Sequence, residues 1–268
     1  MPRGWANCLP EAGLANARAK IVANMAGHSK WANIRIRKGK QDALRGNLFT
    51  KLSREIIVAA RQGGGDPEQN ARLRAAVLKA KASRMPNDTI DRAIEKAVGG
   101  GEGSQLEEVT YEGYGPGGVA VMVKCLTDNK NRTVPELRHA FGKEGGNLAE
   151  NGSVAWQFKQ QGEILVERGA VSEDDLTLAA LDAGAEDVEA VEDGVAVITP
   201  VESFHIVQGE IEKLGASIKE ADLAMNPTNK VAVGKEDAER LMRLLDRLED
   251  LDDVQTTYVN AELPEDFE

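Results

Sequence analysis

The chain has 268 residues, enough for two or three domains with their own cores, and its 41% hydrophobic content is that of a soluble globular protein, which excludes disorder throughout. No run approaches the roughly 18 apolar residues of a membrane span, and the first residues lack the apolar core of a secretory signal. Two cysteines, Cys8 and Cys125, give a disulfide framework nothing to work with, so the chain reads as cytoplasmic.

The formal net charge of −11 conceals a division. Met25 to Val98 carries 16 Lys/Arg against 7 Asp/Glu, whereas Gly99 to Glu268 carries 14 against 36. Such asymmetry points to a segment that meets a polyanion, joined to one that does not.

Residues 1–24 show no clear period and carry early Pro and Gly before a second methionine at Met25; they read as an N-terminal extension outside the fold, from an upstream start or, as the alternative, a targeting sequence. From Asn47 to Gln62 the apolar residues Leu48, Phe49, Leu52, Ile56, Ala59 and Ala60 recur at helical spacing, and Gly63, Gly64 and Gly65 end that helix. Asp66, with Pro67 next and Gln69 three on, predicts the start of a second helix running to about Arg84. Pro86 and Asn87 start a third, with Ile90, Ala93, Ile94 and Ala97 inward, before Gly99 stops it. Together these give a basic helical bundle over 25–100, closed by the linker "GGGEGS".

The period then changes. "VTYEGYGPGGVAVMVKCL" predicts two strands around a Gly/Pro turn, Thr133 with Glu136 opens a helix, and "SVAWQF" reads as the next strand. Strand "EILVE", a helix capped by Ser172, strands "DVEAV" and "VAVIT" around Asp193-Gly194, a helix opened at Thr199, Pro200 and Glu202, and strand "SIKEADLAM" follow. That β-α-β-β-α-β order is a ferredoxin-like unit over 161–226, with a bulge expected where the alternation slips near Lys219 and Glu220. The remaining "KVAVG", the helix of Leu241, Leu244, Leu245, Leu248 and Leu251, and "VQTTYV" are extra to a finished unit. They are expected to rejoin the sheet begun at Val109, making a discontinuous α/β domain over 105–160 plus 227–268 and an α+β fold overall.

Candidate chemistry mostly fails on physical grounds. Gly113, Gly115 and Gly118 fit the G-x-G-x-x-G dinucleotide pattern, but β-branched "VAVMV" follows where the pyrophosphate needs a helix N-terminus, so a hairpin turn is the reading. His28, His139 and His205 stand alone, without metal-ligand spacing, and Ser153 lacks the nucleophile elbow. The "SEDD" and "LEDLDD" runs read as solvated helix ends. No catalytic residue, metal or cofactor is expected.

What remains is "HSKWANIRIRKGKQDALRGNLFTKLSREI", where Lys30, Arg35, Arg37, Lys38, Lys40, Arg45, Lys51 and Arg54 can neutralise phosphates and release counterions. Trp31 among them either stacks on a base or anchors the bundle. No base-reading helix of a known DNA-binding class is recognisable, so strong sequence specificity is not expected.

The stretches "MAGHSKWANIRIRKGKQDALRGNLFTKLSREI", "GGGDPEQNARLRAAVLKAKA", "YEGYGPGGVAVMV", "TDNKNRTVPELRHAFGKEGGNL" and "GSVAWQF" resemble the YebC family, which includes bacterial PmpR-type regulators and a mitochondrial translational activator of cytochrome oxidase. The resemblance runs from Met25 to about Leu263, implies Met25 as the natural start, and implies a cytoplasmic, non-enzymatic protein of three domains. It departs from the family pattern at Ile36, where a histidine is expected, and at Asn47, where a lysine is frequent. The implied role is a probable transcriptional regulator that binds DNA through the basic bundle, the acidic domains meeting protein partners. The alternative is a ribosome-associated translation factor whose bundle contacts ribosomal RNA. In that case Tyr111 and Tyr114 of "YEGYGPGG", with Asn129 and Arg132 of "TDNKNRT", supply second contact loops, although Asn129 and Arg132 equally suit a helix cap.

Overall fold

The computed structural model describes residues 45–99, 106–169, 171–191, 194–264 and 267, and the side chains of all of these except 45–47. The fold is mixed α+β. Three helices come first: α1 (Arg45–Gly63), α2 (Ala71–Ala82) and α3 (Asn87–Val98). Leu52, Ile56, Ala59 and Ala60 of α1 meet Leu73, Ala76, Val77 and Ala80 of α2 and Ile90 and Ala93 of α3 in one core.

The cap of α2 differs from the sequence reading. Asn70, not Asp66, accepts from the Leu73 amide at 3.0 Å, and its Nδ2 donates to the carbonyls of Ala59 and Gly64, each at 2.8 Å. Asn70 is therefore buried and closes the end of α1 and the start of α2 at once, a role the short amide performs with both its acceptor and its donors. Asp66 builds the preceding turn, accepting from the Glu68 amide.

The first sheet has the order β3-β1-β2-β9, from β1 (Glu107–Tyr114), β2 (Ala120–Thr127), β3 (Asn147–Leu148) and β9 (Val254–Val259). The strand after the long C-terminal helix thus pairs with β2, as its surplus to the ferredoxin-like pattern suggested. The β1–β2 connection is a turn over Pro116–Gly118 that enters β2 directly; the helix a dinucleotide site requires is not there. β2 is buried on both faces. Val121, Val123 and Cys125 meet α4 (Lys130–Lys143) and α7 (Lys235–Glu249) through Leu137, Phe141, Leu241, Leu244 and Leu248. On the other face Ala120 and Met122 meet Val154, Phe158, Ala224 and Tyr258.

The second sheet, β5-β6-β4-β7, is antiparallel and built from β4 (Phe158–Val166), β5 (Asp187–Val191), β6 (Gly194–Thr199) and β7 (Ile218–Pro227). α5 (Glu173–Asp182) and α6 (Phe204–Lys213) cover it through Leu176, Ala180, Phe204, Val207 and Ile211. The expected bulge is present: Leu165 pairs with Glu220 but Val166 with Ile218, so Lys219 is skipped. The expected return to the first sheet fails for "KVAVG": its β8 (Val231–Ala232) pairs in parallel with β10 (Ala261–Glu262) in a separate two-stranded sheet.

Three element boundaries are corrected. α4 begins at Lys130 with Asn129 as its cap, so Thr133 lies inside the helix and is buried. Residues Ala155–Gln157 of the expected "SVAWQF" strand form a 3-10 turn, and only Phe158 enters β4. α6 begins at Phe204, after a turn rather than at Thr199, whose hydroxyl donates to the Pro200 carbonyl. None of the described helices is long and apolar enough to cross a membrane.

Candidate nucleic-acid interface and its anchorage

Lys30, Trp31, Arg35, Arg37, Lys38 and Lys40 lie outside the described residues, and of Arg45 only the backbone is described. The last two cations of the basic stretch, Lys51 and Arg54, stand one turn apart on α1 and so project from one face. That face turns toward the C-terminal end of α7. Lys51 Nζ donates to the Glu249 carbonyl at 2.5 Å, placing a cation on the negative end of the α7 dipole. Burial pushes the Lys51 ammonium below the usual lysine range, against the pull of Glu249, Asp250 and Asp252.

Arg54 reaches the same corner. Its Nη1 lies 2.6 Å from Asp253 Oδ1, 2.6 Å from the Asp252 carbonyl and 3.2 Å from the Leu126 carbonyl. Arg132 of α4 closes on Asp253 from the other side, with Nη2 2.9 Å from both carboxylate oxygens and 2.9 Å from Asp128 Oδ1. The Thr133 hydroxyl lies 2.7 Å from Asp253 Oδ2 and the Thr127 hydroxyl 3.2 Å from it. Asp253 is 3% exposed in its side chain. Burial pushes its carboxyl up, but Thr133, Arg132 and Arg54 outweigh burial and hold it below the usual carboxylate range.

The arrangement is an ionic latch between α1 and the sheet body, joining residues 199 and 121 positions apart in the chain. Lys51 and Arg54 face inward in it. The "LEDLDD" run is corrected accordingly: its final Asp253 is a buried clamp rather than a solvated helix end. Asn129 caps α4, accepting from the amides of Asn131 and Arg132 at 3.1 and 3.3 Å, and Arg132 serves the latch.

Tyr111 and Tyr114 do not share an environment. The Tyr111 hydroxyl is buried without a hydrogen-bond partner, and its ring packs on the core of the first sheet. Tyr114 donates its hydroxyl to the Ser153 carbonyl at 3.0 Å. Next to it lies a second buried carboxylate, Glu112, 5% exposed, whose oxygens accept from the amides of Gly152 at 2.7 Å, Val154 at 2.6 Å and Ala155 at 2.9 Å. Burial opposes ionisation of Glu112, and the three amides overcome it, holding the carboxyl below its ordinary range. No spacing rule singles out Glu112 or Asp253, although each lies in a stretch the sequence brings forward, "YEGYGPGG" and "LEDLDD", and the "GSVAW" stretch that meets Glu112 begins at Gly152.

His139 is exposed on α4, and among the described residues no three His, Cys, Asp or Glu side chains converge as a metal-binding group. Cys125 is buried, and burial pushes its thiol up to about 12, which leaves it without thiolate character at neutral pH.

Two family descriptions match, together spanning nearly all the chain beyond its first 28 residues: "TACO1/YebC protein N-terminal domain" over residues 29–100 and "TACO1/YebC second and third domain" over residues 106–261. The chain belongs to the TACO1/YebC family. Among its relatives is a protein of Clostridium novyi, 53% identical over 245 residues that cover 91% of this chain and all of the relative. Another, from Pseudomonas fluorescens, is 54% identical over 243 residues, 90% of this chain and 98% of the relative. Both bear the name "Probable transcriptional regulatory protein". A crystal structure of a conserved hypothetical protein from Aquifex aeolicus superposes with a TM-score of 0.79 at 48% identity, covering 89% of this chain and 98% of that one. The TACO1/YebC assignment agrees with the resemblance read from the sequence motifs.

Proposed function

We propose that this TACO1/YebC chain is a non-enzymatic, nucleic-acid-binding regulator of gene expression that holds DNA through the cations of Lys30–Arg45. The observation that carries the reading is the charge division: 16 Lys/Arg against 7 Asp/Glu over Met25 to Val98, in a chain of net charge −11. Phosphate neutralisation with counterion release is the interaction such a segment is suited to make. The ionic latch refines the contact set. Lys51, Arg54 and Arg132 already serve carbonyls and carboxylates within the chain, so Lys30, Arg35, Arg37, Lys38, Lys40 and Arg45 are left as the primary phosphate contacts, and the exposed Arg74 and Lys81 of α2 are further cations the helical unit offers. In this reading the chain comprises a basic helical unit over 25–100, a discontinuous unit over 105–160 and 227–268, and an inserted ferredoxin-like unit over 161–226, with residues 1–24 outside the fold.

One observation favours a second reading. A body with 14 Lys/Arg against 36 Asp/Glu must be held away from a long duplex, which suits a factor seated on a ribosome with only its basic end on RNA. Ribosome profiling of a deletion strain beside sucrose-gradient cosedimentation and promoter occupancy separates the two. Promoter occupancy with unchanged ribosome pauses supports DNA regulation; codon-localised pauses with cosedimentation assign the protein to translation. Neither occupancy nor cosedimentation would overturn both.

A further inference from the structure

The loop shaped by Glu112 carries an aromatic side chain that the latch and the basic stretch do not use. Trp156 lies in the turn Ala155–Gln157 and is 69% exposed, while Val154, two residues before it, is fully buried in the core between the two sheets. Both sides of the turn are pinned. Before Trp156, the amides of Gly152, Val154 and Ala155 converge on the Glu112 carboxylate. After it, the Gln157 carbonyl accepts from the Thr228 amide at 2.8 Å and its side-chain oxygen accepts from Asn260 Nδ2 at 2.8 Å. Gly152 sits at φ +87°, with nothing within 4 Å of where a Cβ would stand, so the chain reverses tightly there and leaves open space.

The indole is fixed as well as the backbone. Its Nε1 donates to the Ser153 carbonyl at 3.0 Å, the same oxygen that accepts from the Tyr114 hydroxyl at 3.0 Å. The ring has therefore used its one polar group inside the loop. What it offers to a partner is a π face, held in place before any partner arrives. A protein anchor of this size sits in a contiguous apolar patch that excludes water around it. The loop supplies little of one: Glu150, Asn151 and Gly152 are polar or bare and exposed, and its apolar residues Ala149 and Ala155 are small and only partly exposed. A flat ligand that binds by its face alone suits an isolated, preordered indole, and an unpaired nucleobase is that ligand.

We propose that Trp156 is a stacking platform for one unpaired base of a single-stranded nucleic acid. It is a second contact on the sheet body, separate from the phosphate contacts of the basic stretch, and it rests on the nucleic-acid reading above. Glu112 and Tyr114 act as positioning residues, since each holds the loop or the Ser153 carbonyl rather than a ligand.

The test uses the full chain with Trp5→Phe and Trp31→Phe, so that Trp156 is the sole tryptophan and is excited selectively beyond the tyrosine absorption. The probes are a 12-nucleotide oligothymidylate and an abasic strand with the same phosphates. Stacking predicts quenching of Trp156 by oligothymidylate and not by the abasic strand. It also predicts that W156A weakens oligothymidylate binding by roughly 5- to 150-fold, that W156F stays within a few-fold, and that W156A leaves abasic binding unchanged. Thermal unfolding of W156A at the parent temperature establishes that the fold is intact. Equal, salt-dependent binding of both strands, unmoved by W156A, would overturn the platform, leave the nucleic-acid reading standing and turn Trp156 over to a protein contact. Absence of binding to either strand at low salt would overturn the platform; the nucleic-acid reading falls with it only if a DNA duplex in the same buffer is not bound either.

Discussion

Two buried carboxylates hold this molecule's outlying parts in place, and they do so by different means. Asp253 is met by the guanidinium groups of Arg54 and Arg132 and by two threonine hydroxyls, and the elements it joins are far apart in the chain. Glu112 is met by three backbone amides from one short loop. A charged clamp can gather distant elements because long, flexible arginines reach it, but each partner removed leaves a buried charge behind. An amide clamp reaches only its neighbourhood; what it gives instead is a fixed loop shape, because backbone dipoles cannot reorient without unfolding the turn. The first fixes where α1 sits on the sheet body, and the second fixes what a loop presents.

The sharpest break of this comparison is D253A. It leaves Arg54 and Arg132 without their shared carboxylate and should lower the unfolding free energy in urea by about 3 kcal/mol, near the low end for a broken buried pair because Arg132 is 43% exposed. E112A should cost less, about 2 kcal/mol, since the freed amides of the loop can find water. Its distinguishing mark is a change in Trp156 fluorescence that D253A does not produce.

Acid titration sharpens the contrast. Both carboxyls are held below their ordinary values, so the stability they contribute is present above roughly pH 4 and is lost as pH falls through the lower folded values. Unfolding free energy measured between pH 5 and 2 should therefore fall less steeply in D253N and in E112Q than in the parent. Smallest is K51M, which keeps the side chain's packing and removes the cation from the α7 terminus while also relieving the cost of burying it, so a loss of no more than about 0.5 kcal/mol is expected.

Much of the fold could be read from periodicity. The apolar stripes of α1, α3 and α7 and the continuous apolar run of β6 are local signals, and even the Lys219 bulge announced itself as a slip in alternation. The errors sit at element ends, where tertiary contacts choose among several competent caps. Asn70 prevailed over Asp66 because its amide also reaches Ala59 and Gly64, and Asn129 prevailed over Thr133 because Thr133 is drawn into the latch. The site was less legible. Charge counting finds a basic stretch but cannot tell a cation aimed at phosphate from Lys51 or Arg54, whose partners lie 198 and 199 residues away. Trp156 was hidden for a similar reason: a strand reading of "SVAWQF" gives it an ordinary alternating place, whereas the turn and the Glu112 clamp lift it into solvent.

The proposed function divides the labour within one run of cations: those from Lys30 to Arg45 are assigned to phosphate, and Lys51 and Arg54, farther along α1, hold the molecule together. The most direct test is the slope of log affinity against log salt concentration for duplex DNA and for a ribosomal RNA fragment. For duplex DNA, substituting Arg35, Arg37, Lys38 and Lys40 with Gln should make that slope shallower by roughly 3 to 4, at about 0.9 per lost contact, with unfolding unchanged, whereas K51Q should leave the slope as it is and lower the stability. A slope unchanged by the fourfold variant on both targets, or made shallower by K51Q alone, contradicts the account.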